Sequence, residues 1–352
     1  MRKVPERFHF KRWRPVPTMK LFLTMLCVAT MGALPAEARP LRVAYSYWYP
    51  CVPLAIAQEQ GYWKSQGLEV ELTALVTSQE VLAAVEGGQV DIAYDMIGTW
   101  VAEIATGKTL VVLGETDWSH GSDKLVVAKG STFDSVKGGA LAVYMRSPSV
   151  VYFLRSVCKD RKAALADFQL VEKSDDAEML DAVRTGAVKA AITYDPIASQ
   201  LLQGGATLVA TTADYPGVMP EGFAMRADSL QELGDGAVET FFQGWFSAVD
   251  YAGDAAHLAH LTSLMSAVTY AGTETFTADD VLSGLATTPL HSREKALARH
   301  APGAGLWAWS RPFSAFLHSA FDAPVDFRAE SSFHFDPLLK AAAAKRAVSP
   351  GP

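Results

Sequence analysis

Aromatic rings and carboxylates recur in this sequence where apolar runs give way to turns. The run LRVAYS (41–46) leads into Tyr47-Trp48-Tyr49-Pro50, unusually aromatic for a turn. A second run ends in Asp95-Met96-Ile97-Gly98-Thr99, and a third in Glu115-Thr116-Asp117-Trp118-Ser119-His120. Further on, Tyr144 precedes Ser147-Pro148-Ser149, and AAITY leads into Asp195-Pro196. Aromatic faces attract cations and planar rings. A serine turn that opens a helix aims backbone N–H groups at a carboxylate, a sulfonate or another partial negative charge. The candidate ligand-binding residues are therefore Tyr47, Trp48, Tyr49, Asp95, Thr99, Trp118, Tyr144, Ser147, Ser149, Tyr194 and Asp195. Asp95 and Asp195 have an alternative role as caps of the helices that follow them, and His120 reads as a surface residue. Four acids (Asp95, Glu115, Asp117, Asp195) stand against one definite base, Arg146, which can equally be solvated. That census favours a planar or cationic nitrogen compound over an inorganic anion.

Catalytic signatures are missing. The chain has no G-x-S-x-G elbow and no H-E-x-x-H metal motif. Asp175-Asp176 and Asp279-Asp280 read as exposed helix starts. Of the three cysteines, Cys27 lies in an apolar N-terminal run, and Cys51 and Cys158 lack metal-ligand neighbours. Buried thiols are expected for these two, with one disulfide left open. No catalytic residue, metal or cofactor is expected.

The elements that must position the candidates alternate between strand and helix. Strands are expected at 41–46, 68–75, 90–94 and 109–114, with helices at 53–62, 79–86 (capped by Ser78) and 99–105 between them. A second unit follows, with strands at 124–128, 140–144, 190–194, 207–211 and 222–226. Its helices are expected at 148–158 and 177–184, and a third opens at Asp195-Pro196, where Pro suits the first helical position. Beyond Asp228 the pattern is helical. Such alternation predicts mostly parallel sheets covered by helices, with ligands at the carboxyl ends of strands.

The N-terminus reads as an export signal. Residues 1–20 hold seven Lys/Arg and one acid, 21–34 carry no charge, and Ala36-Glu37-Ala38 supplies a small-residue cleavage site. Fourteen apolar residues rise only ~21 Å as a helix, short of a ~30 Å bilayer core. Cleavage is expected after Ala38. Met19 is an alternative start, and Cys27 lacks the small residues that precede a lipid-anchored cysteine. Removing seven bases and two acids leaves 24 Lys/Arg against 36 Asp/Glu, a net charge of −12 where the whole chain has −7. A surface so acidic repels nucleic acid and anionic lipid. At 49 % hydrophobic, the chain has enough apolar residues for two lobes.

Five segments carry a resemblance to a known family. LRVAYSYWYPCVPLAIAQEQGYWKSQGLEVEL (41–72) is similar to a first strand, ligand-facing loop and helix ending A-x-x-x-G-Y/F-F/W, then G-L-x-V. QEVLAAVEGGQVDIAYDMIGTWVAEIATG is similar to L-x-x-G-x-x-D-x-(A/G) with its following turn. AVYMRSPSVVYFLRSV, AAITYDPIASQLLQGGATLV and Phe335-Asp336-Pro337-Leu338-Leu339 resemble three later segments of the same pattern. In order and spacing they resemble the periplasmic solute-binding proteins of nitrate/sulfonate/taurine ABC importers, which share a fold with thiamine-pyrimidine synthases. The resemblance implies an α/β, type II periplasmic-binding-protein fold of two lobes joined by two crossover strands. Lobe 1 would comprise 39–125 and 224–352, and lobe 2 would comprise 126–223. It further implies a monomer in the periplasm that hands a small-molecule ligand to an ABC permease and ATPase. A sensing role for a signalling partner stays open. A pyrimidine-synthase-like enzyme is disfavoured, since the chain has no cysteine run.

Overall fold

The computed structural model describes residues 39–144, 147–173, 175–321 and 327–344. The expected signal segment, its cleavage site and Arg146 lie outside the described residues.

Two five-stranded sheets organise the chain. The first contains β1 (Leu41–Ser46), β2 (Val70–Leu75), β3 (Ile92–Met96), β4 (Leu110–Trp118) and β10 (Pro220–Arg226), in the order β2-β1-β3-β10-β4. The second contains β5 (Lys124–Val127), β6 (Ala140–Tyr144), β7 (Gln169–Lys173), β8 (Ala190–Thr193) and β9 (Thr207–Thr211), in the order β7-β6-β8-β5-β9. In each sheet one strand opposes the rest: β10 is antiparallel to β3 and β4, and β5 to β8 and β9. These two are the strands that enter directly from the other sheet, so they arrive pointing the opposite way. The chain leaves the first sheet between Trp118 and Lys124 and returns between Thr211 and Pro220.

Helices α1 (Val52–Glu59), α2 (Ser78–Glu86) and α3 (Ile97–Ala105) link the strands of the first sheet. Helices α4 (Pro148–Asp160), α5 (Asp176–Arg184) and α6 (Ile197–Gln203) do so in the second. The C-terminal part is helical as expected: α7 (Ala227–Ala252), α8 (Leu258–Leu264), α9 (Ala278–Thr287), α10 (Arg293–Arg299), α11 (Gly305–Phe321), α12 (Ala329–Ser332) and α13 (Asp336–Ala343).

Three local expectations are corrected. The cap of α2 is Thr77, not Ser78: its hydroxyl accepts the Glu80 N–H, and Glu80 accepts the Thr77 N–H in return. Pro196, joined to Asp195 by a cis bond, stands at the N-cap of α6 and not at its first helical position. β4 runs on to Trp118, so Glu115 and Asp117 are strand residues and not loop residues.

The first sheet is fixed to its helices by aromatic packing. Phe223 on β10 meets Phe241, Phe242 and Trp245 of α7 edge-on at ring-centroid distances of 5.1, 6.0 and 5.0 Å. Its other side meets Tyr94 at 5.3 Å. All five rings are buried. Next to Phe223, any Cβ on Gly222 would fall 2.1 Å from the Gly114 carbonyl, so only glycine lets β10 approach the irregular stretch of β4. This packing fixes the ends of β3, β4 and β10, where the site is built.

Candidate functional site

The aromatic turn after β1 spans the gap between the sheets at one residue. Trp48 precedes a short 3-10 turn (Tyr49–Cys51) that leads into α1. Its indole N–H donates to Glu221 Oε2 at 2.8 Å, and its ring meets Tyr194, at the end of β8, edge-on at 5.6 Å. Tyr47 leans on Tyr270 at 5.8 Å. Tyr49 packs between Tyr270 and Phe276 and covers Gly284 of α9, where a Cβ would fall 2.2 Å from its ring. Tyr49 is thus committed to helix packing. Tyr270 and Phe276 complete the aromatic wall, and nothing local in their sequence marks them out.

The second approach of the lobes joins the start of α3 to the start of α4. Any Cβ on Gly98 would fall 2.1 Å from Ser149 Oγ and 2.7 Å from the Phe313 ring, so glycine is what permits the contact. Ser147 Oγ lies 3.5 Å from Met96 Sδ. Asp95, at the end of β3, is only 4 % exposed. Its Oδ1 accepts the Met96 N–H at 2.6 Å and the Thr99 hydroxyl at 3.2 Å. Ser149 Oγ and Thr193 Oγ1 are buried with no hydrogen-bond partner among the described residues; Asp95 Oδ2 is buried without a well-formed bond, the Ser78 side chain lying near enough to lower the carboxyl's pKa. Burial raises the Asp95 pKa to about 6, and hydrogen bonds from its neighbours only partly offset this. Uncompensated burial of a polar group costs about 1–3 kcal/mol. Asp95 and Ser149 flank this contact, and Thr193 ends β8 in the second sheet; a ligand that reached these groups could supply the missing bonds.

The acids of β4 divide sharply. Glu115 receives Arg299 on both oxygens, at 2.9 and 2.8 Å, and His291 Nε2 lies 2.7 Å from Oε1. Burial opposes its ionisation, but His291 and Arg299 outweigh it and hold the pKa below the usual value. His300 accepts the Glu115 N–H through Nε2 at 2.8 Å; burial lowers its pKa to about 4 and keeps it neutral. Asp117 instead faces another acid. The Tyr94 hydroxyl lies 2.9 and 3.0 Å from its two oxygens and 2.9 Å from Glu221 Oε2. Burial pushes Asp117 up to about 6, and burial with the Asp117 charge pushes Glu221 well above its ordinary value.

Two expected contacts are occupied by the protein itself. The Trp118 ring carries Lys295 Nζ at 4.1 Å and Arg299 Cζ at 4.8 Å, with His291 edge-on at 5.0 Å. Its cation–π partners are therefore supplied from α10. Asp195 is paired with Lys124 at 2.6 Å and accepts both N–H and O–H of Ser199, at 3.0 and 2.7 Å. Asp195 thus bonds the first turn of α6 from the residue before its N-cap. Tyr194 is tied through its hydroxyl to Asp176 at the start of α5. Tyr144 ends β6, and its backbone places it in the second sheet. His120 is half-buried beside Trp118 rather than at the open surface. Cys51 and Cys158 are buried and free, which closes the disulfide alternative.

The arrangement is that of a type II periplasmic-binding-protein fold: two mixed sheets, two crossovers and a polar and aromatic seam between them. A family model described as NMT1/THI5 like matches residues 50–215. The ligand-binding component of an ABC-type import system from Staphylococcus aureus, solved with zinc bound, superposes with a TM-score of 0.66. The two are 14 % identical over 88 % of this chain and 100 % of that one. The aliphatic sulphonate binding protein SsuA from Escherichia coli gives a TM-score of 0.62 at 17 % identity, covering 84 % of this chain and 97 % of that one. The nitrate-binding protein NrtA from Synechocystis PCC 6803 gives 0.51 at 15 %, covering 82 % and 91 %. No curated protein matches the chain in sequence.

Proposed function

We propose that the chain is the periplasmic solute-binding component of an ABC importer, capturing one small organic molecule between its two lobes without turning it over. The observation that carries this reading is the buried Asp95 carboxyl, one oxygen of which has no well-formed hydrogen bond, beside a contact between lobes that a glycine at 98 permits. The similarity to binding components of import systems supports it. In this reading lobe 1 comprises 39–125 and 224–352 and lobe 2 comprises 126–223, with hinges at 119–123 and 212–219. Residues 1–38 direct export and are removed, and the mature monomer delivers its ligand to a permease and ATPase.

The ligand presents a hydrogen-bond donor to Asp95 and a hydroxyl-compatible polar group to Ser149 and Thr193, with Thr99 holding Asp95. Trp48 and Tyr194 supply the aromatic wall, Tyr47 lies behind it, and Ser147 borders the lobe 2 side. A nitrogenous, planar or cationic compound meets these demands. A thermal-shift panel of amines, guanidino compounds, pyrimidines, sulfonates and nitrate tests the reading. A ligand at a hundredfold excess over its Kd adds about 2.7 kcal/mol of stability. A clear rise with a nitrogenous class is expected; no shift with any class, or turnover of a compound, would contradict it.

A further inference from the structure

We infer that Glu221 is a positioning residue that sets the Trp48 indole across the cleft by sharing one proton with Asp117, so that closure of the lobes takes up a proton. The inference rests on the solute-binding reading. Its geometry is that of the two strands that continue into the crossovers. Glu221 and Asp117 lie opposite each other in the β10–β4 register, and the next pair, Pro220 and Trp118, ends both strands at the hinge.

Counting hydrogens shows why a proton is held there. Glu221 Oε2 already accepts from the Trp48 indole at 2.8 Å and lies 2.9 Å from the Tyr94 hydroxyl. The Asp117 oxygens lie 2.9 and 3.0 Å from the same hydroxyl, and Thr116 Oγ1 donates to Asp117 Oδ1 at 3.1 Å. The Tyr94 hydroxyl thus lies within 3.0 Å of both carboxyls yet has a single hydrogen to donate, so a proton held on one acid relieves the shortage of donors between them. Every neighbouring element adds negative or neutral groups: Tyr94 and Asp95 from β3, Cys51 from the turn after β1, and Asp123 from the crossover. His291 is the cationic candidate within reach, and it is bonded to Glu115, which also holds Arg299. Among the described residues neither carboxyl has a lysine or arginine partner.

Loss of that proton leaves two buried carboxylates around one tyrosine hydroxyl, and their repulsion drives them apart. Glu221 carries the acceptor of Trp48, so its movement withdraws the ring that meets Tyr194 of the second sheet. Closed lobes are favoured in acid, and closure weakens as pH rises through the titration of the pair.

The experiment needs no ligand. Val76→Cys and Leu208→Cys place spin labels on exposed positions of the two sheets' lobes, 64 % and 44 % accessible, while both native cysteines are buried. Pulsed dipolar distances are recorded on the mature protein between pH 5 and 9. The expected result is a shift from short to long distances, with the open-to-closed ratio changing by up to about tenfold per pH unit for one proton. Glu221→Gln keeps a donor for Asp117 and an acceptor for Trp48, so it is expected to stay closed throughout. A pH-invariant wild type overturns the inference, as does a Glu221→Gln protein that opens with pH like the wild type. Asp117→Asn supplies a second variant, expected to flatten the response, should Glu221→Gln lose its circular-dichroism signature. A ligand retained by a pH-invariant protein would leave the solute-binding reading standing while removing the proton link.

Discussion

Glu115 and Asp117 sit two residues apart on one strand, both fully buried, and the chain treats them in opposite ways. Glu115 is neutralised by Arg299 and His291 and stays ionised. Asp117 is given a second acid, Glu221, and a tyrosine hydroxyl, and the pair keeps a proton. The first arrangement ties β4 to α10 and the turn before it. The second ties β4 and β10 to Trp48 at the mouth of the cleft. What a buried carboxylate does is decided by which distant segment reaches it, and not by its neighbours in sequence.

Breaking the Glu115 side of this contrast is expected to cost most. Arg299→Ala strands a buried charge and removes a cation from the Trp118 face. A loss of about 3–5 kcal/mol is expected in chemical denaturation at pH 7. A loss under 1 kcal/mol would mean that the pair is solvated. Trp118→Ala comes next, at about 1–2 kcal/mol of stability from two cation–π contacts, with ligand affinity little changed. Trp48→Ala is expected to do the reverse, weakening the binding of any compound found by thermal shift by tenfold or more while leaving stability nearly intact. Equal effects of the two on affinity would erase the distinction between the regions.

The smallest effect is the pH dependence of stability, and its sign follows from the groups involved. Asp117 and Glu221 have raised folded pKa values, so their contribution is largest below the ordinary carboxylate range. It is lost as pH rises through about 6 and beyond. Asp95 acts in the same direction near pH 6. Glu115 acts oppositely, contributing above the ordinary glutamate value and losing its share as pH falls through a lower one. His300, depressed to about 4, likewise favours the folded state more as pH climbs from about 4 towards 6.5. The wild-type curve is a sum of these, so the informative quantity is its difference from Glu221→Gln. That difference is expected to widen between pH 6 and 8; a constant offset would mean that the pair does not titrate there.

Much of the fold was legible because strands and helices declare themselves locally. LRVAYS, a short and mostly apolar run, reads as a buried strand and forms β1 at the limits expected. AAITY and ALAVY likewise form β8 and β6, to within one residue. The end of β4 was not legible: Glu115-Thr116-Asp117 has a loop's composition, and partners 23 to 185 residues away make it a buried strand. The site was half legible for the same reason. Trp48, Asp95 and Ser149 stand at turns that the alternation locates. Glu221 and Tyr94, inside apolar strands, read as ordinary strand residues until the fold sets them beside Asp117. Asp195 and Trp118 were found by type and position, yet Lys124 and α10 had already claimed them.

Native mass spectrometry of the protein purified from its native host tests the central claim most directly, with Asp95→Asn measured in parallel. The account predicts one small molecule per wild-type monomer, recovered unchanged, and a markedly emptier Asp95→Asn protein of the same fold. Wild-type protein at its bare mass under gentle conditions, or a ligand held equally well by both proteins, would contradict it.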